Sequence, residues 1–241
     1  MRFASSPALC GLAAFTLAAC TDLQSSDLKT AGMSAHMTII SDDSGQTTVN
    51  AWLHVDNNAT DFVTLSSGDT LTATAGTQSQ SMSEDDALND VSYTTTFSSE
   101  NASGAVYTVA LERQSDTSAP DSTCTLPAPF TVASPASGAS VSRSSDIAVT
   151  YGAGGTNDAV SYTLSGPCIQ GPTGVPLDGD PGAFTIAASS ITTAAGVSPS
   201  EPCQATLSIA RTRVGTIDPA FGNGGDIECT QSRTVTFTLT Q

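Results

Sequence analysis

Short runs of alternating apolar and polar residues recur along almost the whole chain, and they limit what it can fold into. In TTVNAWLHV, Val49, Ala51 and Leu53 occupy alternate positions, as Val235 and Phe237 do in RTVTFTLT. A period of two indicates a half-buried β-strand, because successive strand side chains point to opposite faces of a sheet. No stretch beyond residue 20 shows the 3.6-residue period of an amphipathic helix. The sequence therefore predicts an all-β protein.

The strand patterns fall into two groups, which predicts two domains. Residues 116–130 lie between the groups and are rich in Pro, Ser and Thr, a composition typical of extended linkers. We predict an N-terminal β-sandwich over residues 35–115, a linker and first-strand region over 116–130, and a C-terminal β-sandwich over 131–241. The one segment with helical character is SMSEDDALND, in which Ser83 is the predicted N-cap of a short helical turn.

The segment from Phe130 to Cys168 resembles the opening strands of immunoglobulin-like or fibronectin-like modules in bacterial surface proteins. It has a Pro-x-x-Gly turn between its first two strand patterns, and the aromatic Tyr151 ends the third. The resemblance implies two tandem immunoglobulin-like antiparallel β-sandwiches, and the remainder of the C-terminal half has the short, frequent strands of that class. It also implies a spacer or binding role, although a fold alone does not define a function.

The chain begins with MRFASSPALCGLAAFTLAAC, which has a charged start, an apolar stretch and small residues before a cysteine. This is the pattern of a secretory signal, and its apolar stretch is too short to span a bilayer. The tetrapeptide LAAC at 17–20 resembles a bacterial lipobox. The resemblance implies that residues 1–19 are a cleaved signal peptide and that Cys20 carries lipid on its thiol. The alternatives are an ordinary signal peptide and lipidation at Cys10, which has almost no apolar core before it.

The segment that follows the leader is polar and lacks periodicity. We predict that residues 20–34, from the lipidated cysteine onward, form a flexible tether with a reach of about 20 Å. Thr21 differs from the aspartate that retains lipoproteins in the inner membrane of enteric bacteria. The resemblance to lipoproteins therefore implies a lipid anchor in the cell envelope, at the outer membrane.

The chain is strongly acidic, with a formal net charge of −16. Such a surface repels nucleic acid, because phosphate binding needs clustered Lys and Arg. We predict no nucleic-acid partner and no cofactor. The expected partners are the membrane, reached through the N-terminal lipid, and an unidentified protein or polymer of the envelope.

Four cysteines follow the predicted anchor, and an even number in an exported chain indicates two disulfides. Three pairings are possible. We favour the nested pairs Cys168–Cys203 and Cys124–Cys229, because the latter two lie near the ends of the C-terminal half, where the first and last strands of a sandwich are often neighbours. Zinc is the alternative, but no C-x-x-C pair is present.

The sequence contains few patterns that indicate catalysis or metal binding. His36 and His54 lie in predicted strands without a second ligand at metal-binding spacing, and we predict no metal role for them. The S-x-x-K match at 26–29 falls in the predicted tether and is attributed to chance. We predict no catalytic residues.

Acidic loops are the weak candidates for calcium, which takes several oxygen ligands. One candidate group lies between residues 83 and 90, and the other lies between residues 178 and 180. Their carboxylates are those of Asp85, Asp86, Asp90, Asp178 and Asp180.

Two aromatic residues are candidate contact residues. Phe221 lies among glycines in the loop of residues 216–232, where it is either an exposed contact or a cap on the sandwich core. Trp52 lies opposite the apolar face of its strand and is expected to pack at the interdomain junction. We predict a lipid-anchored, non-enzymatic structural or interaction module. The alternatives are a calcium-dependent adhesive or ligand-binding module and a carbohydrate-active or other hydrolase.

Overall fold

The protein was analysed as a computed structural model, which describes residues 23–56, 58–87, 90–155, 157–198, 200–222 and 224–241. Within these ranges the regular structure consists of strands and three short 3₁₀ turns, at Ser25–Asp27, Thr30–Gly32 and Ala188–Ser190. The strands, in chain order, are β1 Leu23–Gln24, β2 Met33–Ser41, β3 Thr47–Val55, β4 Val63–Thr64, β5 Thr70–Ala75, β6 Gln78–Ser81, β7 Ser83–Ala87, β8 Asp90–Phe97, β9 Val106–Glu112, β10 Ala119–Thr125, β11 Val132–Ser134, β12 Ser140–Ser142, β13 Ile147–Tyr151, β14 Ala159–Gly166, β15 Ile169–Gln170, β16 Val175–Pro176, β17 Ala183–Ile186, β18 Thr192–Thr193, β19 Cys203–Val214 and β20 Gly225–Thr240. The predicted all-β fold class is confirmed.

The alternation in the sequence corresponds to an alternation of burial in the strands. In β3, Val49, Ala51 and Leu53 are fully buried, whereas Trp52 is half-buried on the opposite face. The inward face of each strand supplies the core, and the outward face carries mostly Thr, Ser and Asn. This is the pattern of sheets that are packed on one side only.

The first unit is a sandwich of two sheets. One sheet has the order β10-β9-β5-β6, and the other is the stretch β20-β2-β3-β8-β7 of a longer sheet. Their facing sides enclose an apolar core in which the rings of Phe97 and Tyr107 meet edge to face, with their centroids 5.4 Å apart. The core side chains of β2 and β3 come from alternate positions along each strand.

The second unit is a sandwich with an immunoglobulin-like strand order. Its smaller sheet is β11-β13-β17, and its larger sheet runs β14-β19-β20, with β12 parallel to β20 at one edge. These correspond to the A-B-E and C-F-G sheets of the immunoglobulin arrangement. A second core, which includes Ile147, Leu207 and Phe237, lies between them. The predicted sandwich architecture is therefore present in both halves of the molecule.

Strands β19 and β20 form a hairpin that belongs to both units. β20 is 16 residues long and pairs with the 12-residue β19 along that strand's whole length. The first half of β20 pairs in parallel with β2 of the first unit, and its second half lines the core of the second unit. At about 3.3 Å per residue, β20 spans about 50 Å. One sheet of 11 strands therefore passes through both units.

The sequence predicted that residues 35–115 alone form the first sandwich. The first core also contains residues from outside this range. Phe221, Ile227 and Cys229, from the C-terminal part of the chain, are buried in it. The strand-by-strand pattern could not reveal this, because alternation shows that a segment is a strand but not which sheet it joins. The first unit is therefore built from two separate parts of the chain, and the second unit is built from residues that lie between and after them in the sequence.

The predicted linker at 116–130 is also part of the first unit. It contains β10, which pairs with β9, and Leu126 is fully buried in the first core. A Pro- and Ser-rich composition indicates an extended chain, and an extended chain also suits the edge of a sheet. The open edge of β9 supplies the hydrogen-bond partners that convert this segment into a strand.

Residues 23–34 do not form the predicted flexible tether. β1 pairs in parallel with β4, and β2 begins at Met33. The side chains of Ser25 and Thr30 are buried. Polar contacts rather than a periodic apolar face hold this segment, and for that reason hydrophobic periodicity did not indicate its order.

The predicted helical turn in SMSEDDALND is wrong. The segment enters β7, which pairs with β8 in an antiparallel hairpin. The inward residues Val91 and Tyr93 fix β8 in the first core, and its free edge then offers β7 a full ladder of backbone hydrogen bonds. Glu84 and Asp85 are exposed on this edge strand, where charge discourages pairing with another chain.

The loop between β19 and β20 is clamped against the N-terminal segment, which leads to a stability prediction. A Cβ atom at Gly222 would overlap the carbonyl oxygen of Ala31, which is backbone and cannot rotate away. We expect Gly222→Ala to lower the free energy of unfolding by about 1–3 kcal/mol, the usual cost of overpacking. The measurement is urea unfolding followed by circular dichroism.

Gly32→Ala is the matched control for this variant. Gly32 lies in the same contact region, but no described atom stands within 4 Å of a Cβ built there. We expect Gly32→Ala to unfold at nearly the wild-type urea concentration. Equal effects of the two substitutions would contradict the close packing at Gly222.

Candidate functional site

The junction between the two units lies where polar residues interrupt the series of apolar residues at the inward positions of β20. The inward positions carry Ile227 and Cys229 in the first core, then Gln231 and Arg233, and then Val235 in the second core. Polar side chains at inward positions need partners, because an unpaired buried polar group is costly. The partners of these residues define the junction.

Arg211 on β19 is fully buried at this junction. Its Nη1 donates to the carbonyl oxygen of Ala128 at 2.6 Å, and its Nη2 donates to that of Gly152 at 2.5 Å. Nη2 also lies 2.9 Å from Oδ2 of Asp180. The guanidinium group stands 4.6 Å from the centre of the Phe130 ring, a cation–π distance. The arginine therefore joins the segment between the units to strands of the second unit.

Arg233 also lies beside Phe130, with its guanidinium carbon 5.7 Å from the centre of the ring. Its Nε donates to the carbonyl oxygen of Phe130 at 3.0 Å, its Nη1 to that of Ser41 at 3.2 Å, and its Nη2 to Oε1 of Gln231 at 2.8 Å. Asp43 lies 3.5 Å away and completes an ion pair. The side chain thus ties the end of β2 in the first unit to the start of the second unit.

A cleft of ≈540 Å³ opens beside these residues. Arg233 and Asp43 are its charged residues, and most of the guanidinium donors of Arg233 are already bound to protein acceptors. The cleft is therefore a feature of the junction rather than a prepared site for an anion. It is lined by Asp43, Pro129, Phe130, Thr131, Gly152 and Arg233.

A second buried cluster lies at the end of the first unit that is farthest from the second unit, which we call the pole. The pole comprises residues 23–32, 58–69 and 113–118. Here Arg113 Nε pairs with Asp69 Oδ2 at 2.7 Å, and both side chains are almost completely buried. Arg113 Nη2 donates to the carbonyl oxygens of Ser25 at 2.6 Å and Leu28 at 3.1 Å.

The carboxylate of Asp69 is held ionised in this cluster. Burial by itself raises its pKa, but the amide of Gln114, the hydroxyl of Ser25 and the charge of Arg113 outweigh that effect and lower the pKa below its ordinary value. The hydroxyl of Ser25 donates to Asp69 Oδ2 at 2.7 Å. The N-terminal segment is therefore held by hydrogen bonds to the ion pair of Asp69 and Arg113, which are 44 and 88 residues from Ser25 in the sequence.

The tyrosines provide a test of the two cores. Burial and the neighbouring Asp180 carboxylate raise the pKa of Tyr151 to about 12. Burial also raises the pKa values of Tyr93, Tyr107 and Tyr162. These four are all the tyrosines of the chain.

We expect the native protein to show almost no phenolate absorbance at pH 10, where free tyrosine is half ionised. Because folding raises these pKa values, the neutral phenols stabilise the fold fully below about pH 10, and this stabilisation is lost as the pH rises through the folded-state values. The measurement is a spectrophotometric titration with and without denaturant. A native titration midpoint near pH 10 would contradict the burial of the phenols.

The outward face of the long sheet is continuous over both units. On β19 and β20 it carries cross-strand pairs of hydroxyl residues, such as Thr206 beside Thr236 and Ser208 beside Thr234. The hydroxyls of Thr212 and Thr230 lie 2.9 Å apart and hydrogen-bond. We call this surface the outer face.

Near the pole, the outer face carries the two histidines. His36 Nδ1 lies 2.9 Å from Asp226 Oδ1, and both side chains are partly exposed. The rings of His36 and His54 meet edge to face with centroids 5.5 Å apart, and the His54 ring also packs on Phe62. The structure thus brings the two histidines together on neighbouring strands.

Of the two candidate contact residues, Phe221 follows the second of its two interpretations, burial in a sandwich core, whereas Trp52 lies away from the junction where it was expected. Phe221 is buried in the first core, which contradicts the interpretation as an exposed contact. Trp52 pairs in register with His36 on the outer face and is half-buried there. It does not pack at the junction, because the chain enters the second unit from the opposite end of β2 and β3.

The structure does not gather those calcium candidates whose side chains it describes into a metal-binding group. Asp180 is buried in its ion pair with Arg211, and its Oδ2 also accepts the amide of Gly154 at 2.6 Å. Asp85 is exposed on the edge strand β7, and the side chains of Asp86 and Asp90 lie outside the described part of the structure. Asp180 is therefore already used for structure, and the backbone of Ser83–Ala87 has the geometry of a strand rather than of a chelating loop.

The two predicted disulfide pairings are confirmed. Cys124 is bonded to Cys229 and Cys168 to Cys203, with Cα atoms 5.8 and 6.2 Å apart. The first bond lies in the first core and joins β10 to β20, so our reason for that pairing, proximity at the ends of the second sandwich, was wrong. Cys20 lies outside the described residues.

Among the described residues, no group of three or more His, Cys, Asp or Glu side chains is arranged to hold a metal ion. The described part of the chain also contains no helix that is long and apolar enough to cross a membrane.

Comparisons with known proteins give little beyond the general architecture. No family model matches the sequence, and no curated protein matches it. The tandem Ig repeats of Dlar align with 86% of this chain and 96% of their own, at 9% identity and a TM-score of 0.31. DIP-gamma IG1+IG2 aligns with 88% of this chain and 99% of its own, at 7% identity and a TM-score of 0.24.

The adhesin InvE of Yersinia pseudotuberculosis is also similar to this chain. The alignment covers 86% of this chain and 60% of the adhesin structure, at 16% identity and a TM-score of 0.23. Scores and identities this low do not establish a shared topology or function. The assignment of the fold rests on the strand order and register of the molecule itself.

The sequence analysis did not single out the buried arginines. Arg211 and Arg233 occupy inward positions of alternating strands, and Arg113 follows directly after β9. The available signal was the register: a charged residue at a position where alternation demands an apolar one indicates a buried partner. The partners, such as Asp69 and Asp180, are too distant in sequence to be identified without the fold.

Proposed function

We propose that this chain is a non-enzymatic structural and interaction module of the bacterial envelope, lipid-anchored through Cys20 at the outer membrane. The observation that carries the proposal is the β19–β20 hairpin, which passes through both sandwiches as part of one sheet. Two domains joined by a linker move relative to each other, whereas two domains that share strands cannot move without breaking backbone hydrogen bonds. The body is therefore suited to holding a binding surface at a fixed distance from its anchor.

The contacts at the junction support this proposal. Arg211 and Arg233 both approach the ring of Phe130 and bind backbone oxygens from both units. The disulfide between Cys124 and Cys229 fastens the shared strand to the first unit. These interactions stabilise one arrangement of the two units.

Rigidity is tested by measuring the distance between two spin labels, one in each unit. Cysteines are introduced at Ala59, in an exposed loop of the first unit, and at Ser189, in an exposed turn of the second. The four native cysteines beyond residue 20 are oxidised and do not react with the label. We expect a single narrow distance distribution in pulsed electron resonance. A broad or bimodal distribution would show a hinge and overturn the structural role.

The anchor is tested separately in cells. We expect Cys20→Ala to move the protein from the membrane fraction to the soluble fraction, whereas Cys10→Ala leaves it in membranes. Mass spectrometry of the N-terminal peptide of the wild type then shows acyl chains on Cys20. Membrane-bound, acylated protein in the Cys20→Ala variant would overturn the assignment of the anchor.

A further inference from the structure

The order of the N-terminal segment has a consequence for how an anchored molecule is oriented. Cys20 precedes Leu23, the first residue of β1, by three positions. A chain of three residues spans at most about 11 Å when fully extended. Lipid attached at Cys20 is therefore confined to the immediate neighbourhood of β1.

The segment after Cys20 cannot extend this reach without unfolding the pole. β1 is paired with β4, and the backbone oxygens of Ser25 and Leu28 accept hydrogen bonds from buried Arg113. The amide of Thr30 donates to Asp116 at 2.5 Å. These bonds extend from residue 23 to residue 30, and β2 begins at Met33.

The direction of β20 defines where the second unit lies relative to the pole. β2 runs parallel to β20, with Ala35 beside Gly225 and Ser41 beside Gln231, and β20 then continues into the second core. The start of β2 and the segment before it are thus at the end opposite the second unit. The length of β20 separates the two ends by about 50 Å.

We propose that the pole lies against the bilayer that carries the lipid anchor, and that the second unit projects outward from it by about the length of β20. This orientation rests on the proposed anchoring at Cys20. The occupant of the pole surface is the lipid headgroup layer, because the covalent distance from the anchor leaves no room for another protein. The loops at the far end of the second unit, including residues 143–146 and 187–198, are then the part of the molecule presented to envelope partners.

The test measures how close each end of the protein lies to the bilayer. The full-length chain is expressed with its own leader, and a second version carries the leader and lipidated cysteine of a lipoprotein of the expression host in front of Thr21. Each version has a single introduced cysteine, either Ala59→Cys at the pole or Ser189→Cys in the far unit. The fluorescently labelled proteins are placed in phosphatidylcholine vesicles that contain an acceptor dye at the headgroup level.

We expect strong energy transfer from the label at residue 59 and weak transfer from the label at residue 189. The control inserts a flexible Gly-Ser segment of about 12 residues between Asp22 and Leu23, which adds a reach of about 20 Å. We expect this insertion to reduce transfer at residue 59 several-fold and to leave transfer at residue 189 nearly unchanged. Equal transfer at both positions, with no response to the insertion, would overturn the orientation.

The two leaders separate the failure of the orientation from the failure of the anchor. If the chain with its own leader lacks acyl groups while the chain with the host leader shows strong transfer only at residue 59, the orientation holds for a lipid at position 20 and the proposed native anchor is wrong. If both versions are acylated and both positions transfer equally, the anchor holds and the orientation is wrong. Lys29, the single lysine of the chain and an exposed residue of the pole, offers an independent amine label for the same measurement.

Discussion

Substitution of Arg211 by methionine is expected to lower the free energy of unfolding by about 3–5 kcal/mol, because it leaves a buried carboxylate without its partner. Asp180 is almost completely buried, and Arg211 is its ion-pair partner. The same substitution removes the donors that bind the carbonyl oxygens of Ala128 and Gly152. The measurement is urea unfolding followed by far-ultraviolet circular dichroism.

The partner variant distinguishes loss of the ion pair from loss of packing. We expect Arg211→Met combined with Asp180→Asn to be more stable than Arg211→Met alone, because the double variant buries no uncompensated charge. If the loss of unfolding free energy in the double variant equals the sum of the losses in the two single variants, the arginine acts through its contacts with Phe130 and the backbone. Arg143→Met, at a half-buried arginine with no ion pair among the described residues, is the matched control and is expected to have a smaller effect.

The same unfolding experiments report on whether the two units are coupled. Trp52 is the single tryptophan and lies in the first unit, whereas Arg211 contacts the second. If the shared hairpin couples the units, the fluorescence of Trp52 and the circular dichroism change at the same urea concentration in every variant. Separate transitions would show that the units unfold independently.

Removal of the Cys124–Cys229 disulfide is the second large effect that we expect. The bond joins residues separated by 105 positions in sequence, and in the chain-entropy description a loop of this size corresponds to about 5 kcal/mol of stability. The double variant Cys124→Ala, Cys229→Ala is therefore expected to unfold at a much lower denaturant concentration. Without the disulfide, β20 is no longer covalently joined to β10. Because β20 runs through both cores, we expect this loss to destabilise both units rather than the first alone.

The second disulfide provides the comparison. Cys168 and Cys203 are separated by 35 positions, for which the same description gives about 4 kcal/mol. Both of these cysteines belong to the second unit. We expect their removal to be somewhat less destabilising. A greater loss from this pair than from the longer loop would contradict the role of the first disulfide in holding the shared strand.

The difference between the predicted and the observed fold is clearest in β20. Its second half, RTVTFTLT, alternates cleanly and was predicted as a strand. The sequence predicts a loop over its first half, within residues 216–232, whereas the structure continues the strand through Gln231 and Arg233 at inward positions. Those polar residues are accommodated by the junction, where Ser41 and Phe130 supply acceptors for Arg233. Local pattern alone cannot identify acceptors that lie a hundred or more residues away.

The N-terminal segment shows the same limit. Residues 23–32 have neither apolar periodicity nor a helix signature, and such a sequence in isolation behaves as a flexible coil. Their order comes from contacts with Arg113 and Asp69, which lie at the end of β9 and just before β5 of the first sandwich. Because this segment is folded rather than a flexible tether, the first unit is expected to lie closer to a lipid anchor at Cys20 than the sequence alone predicted.

The amino-acid sequence by itself determined the all-β class, the presence of two sandwiches and the expectation of two disulfides. These properties depend on the two-residue period of the strands and on the number and order of the cysteines, and both can be read locally. The tertiary structure alone decided which strands are neighbours, that β20 serves both cores, and that Phe221 is buried while Trp52 lies on the outer face. The physical reason is that strand pairing and burial of charge depend on partners brought together only by folding, as Arg113 and Arg211 are paired with Asp69 and Asp180 from distant parts of the chain.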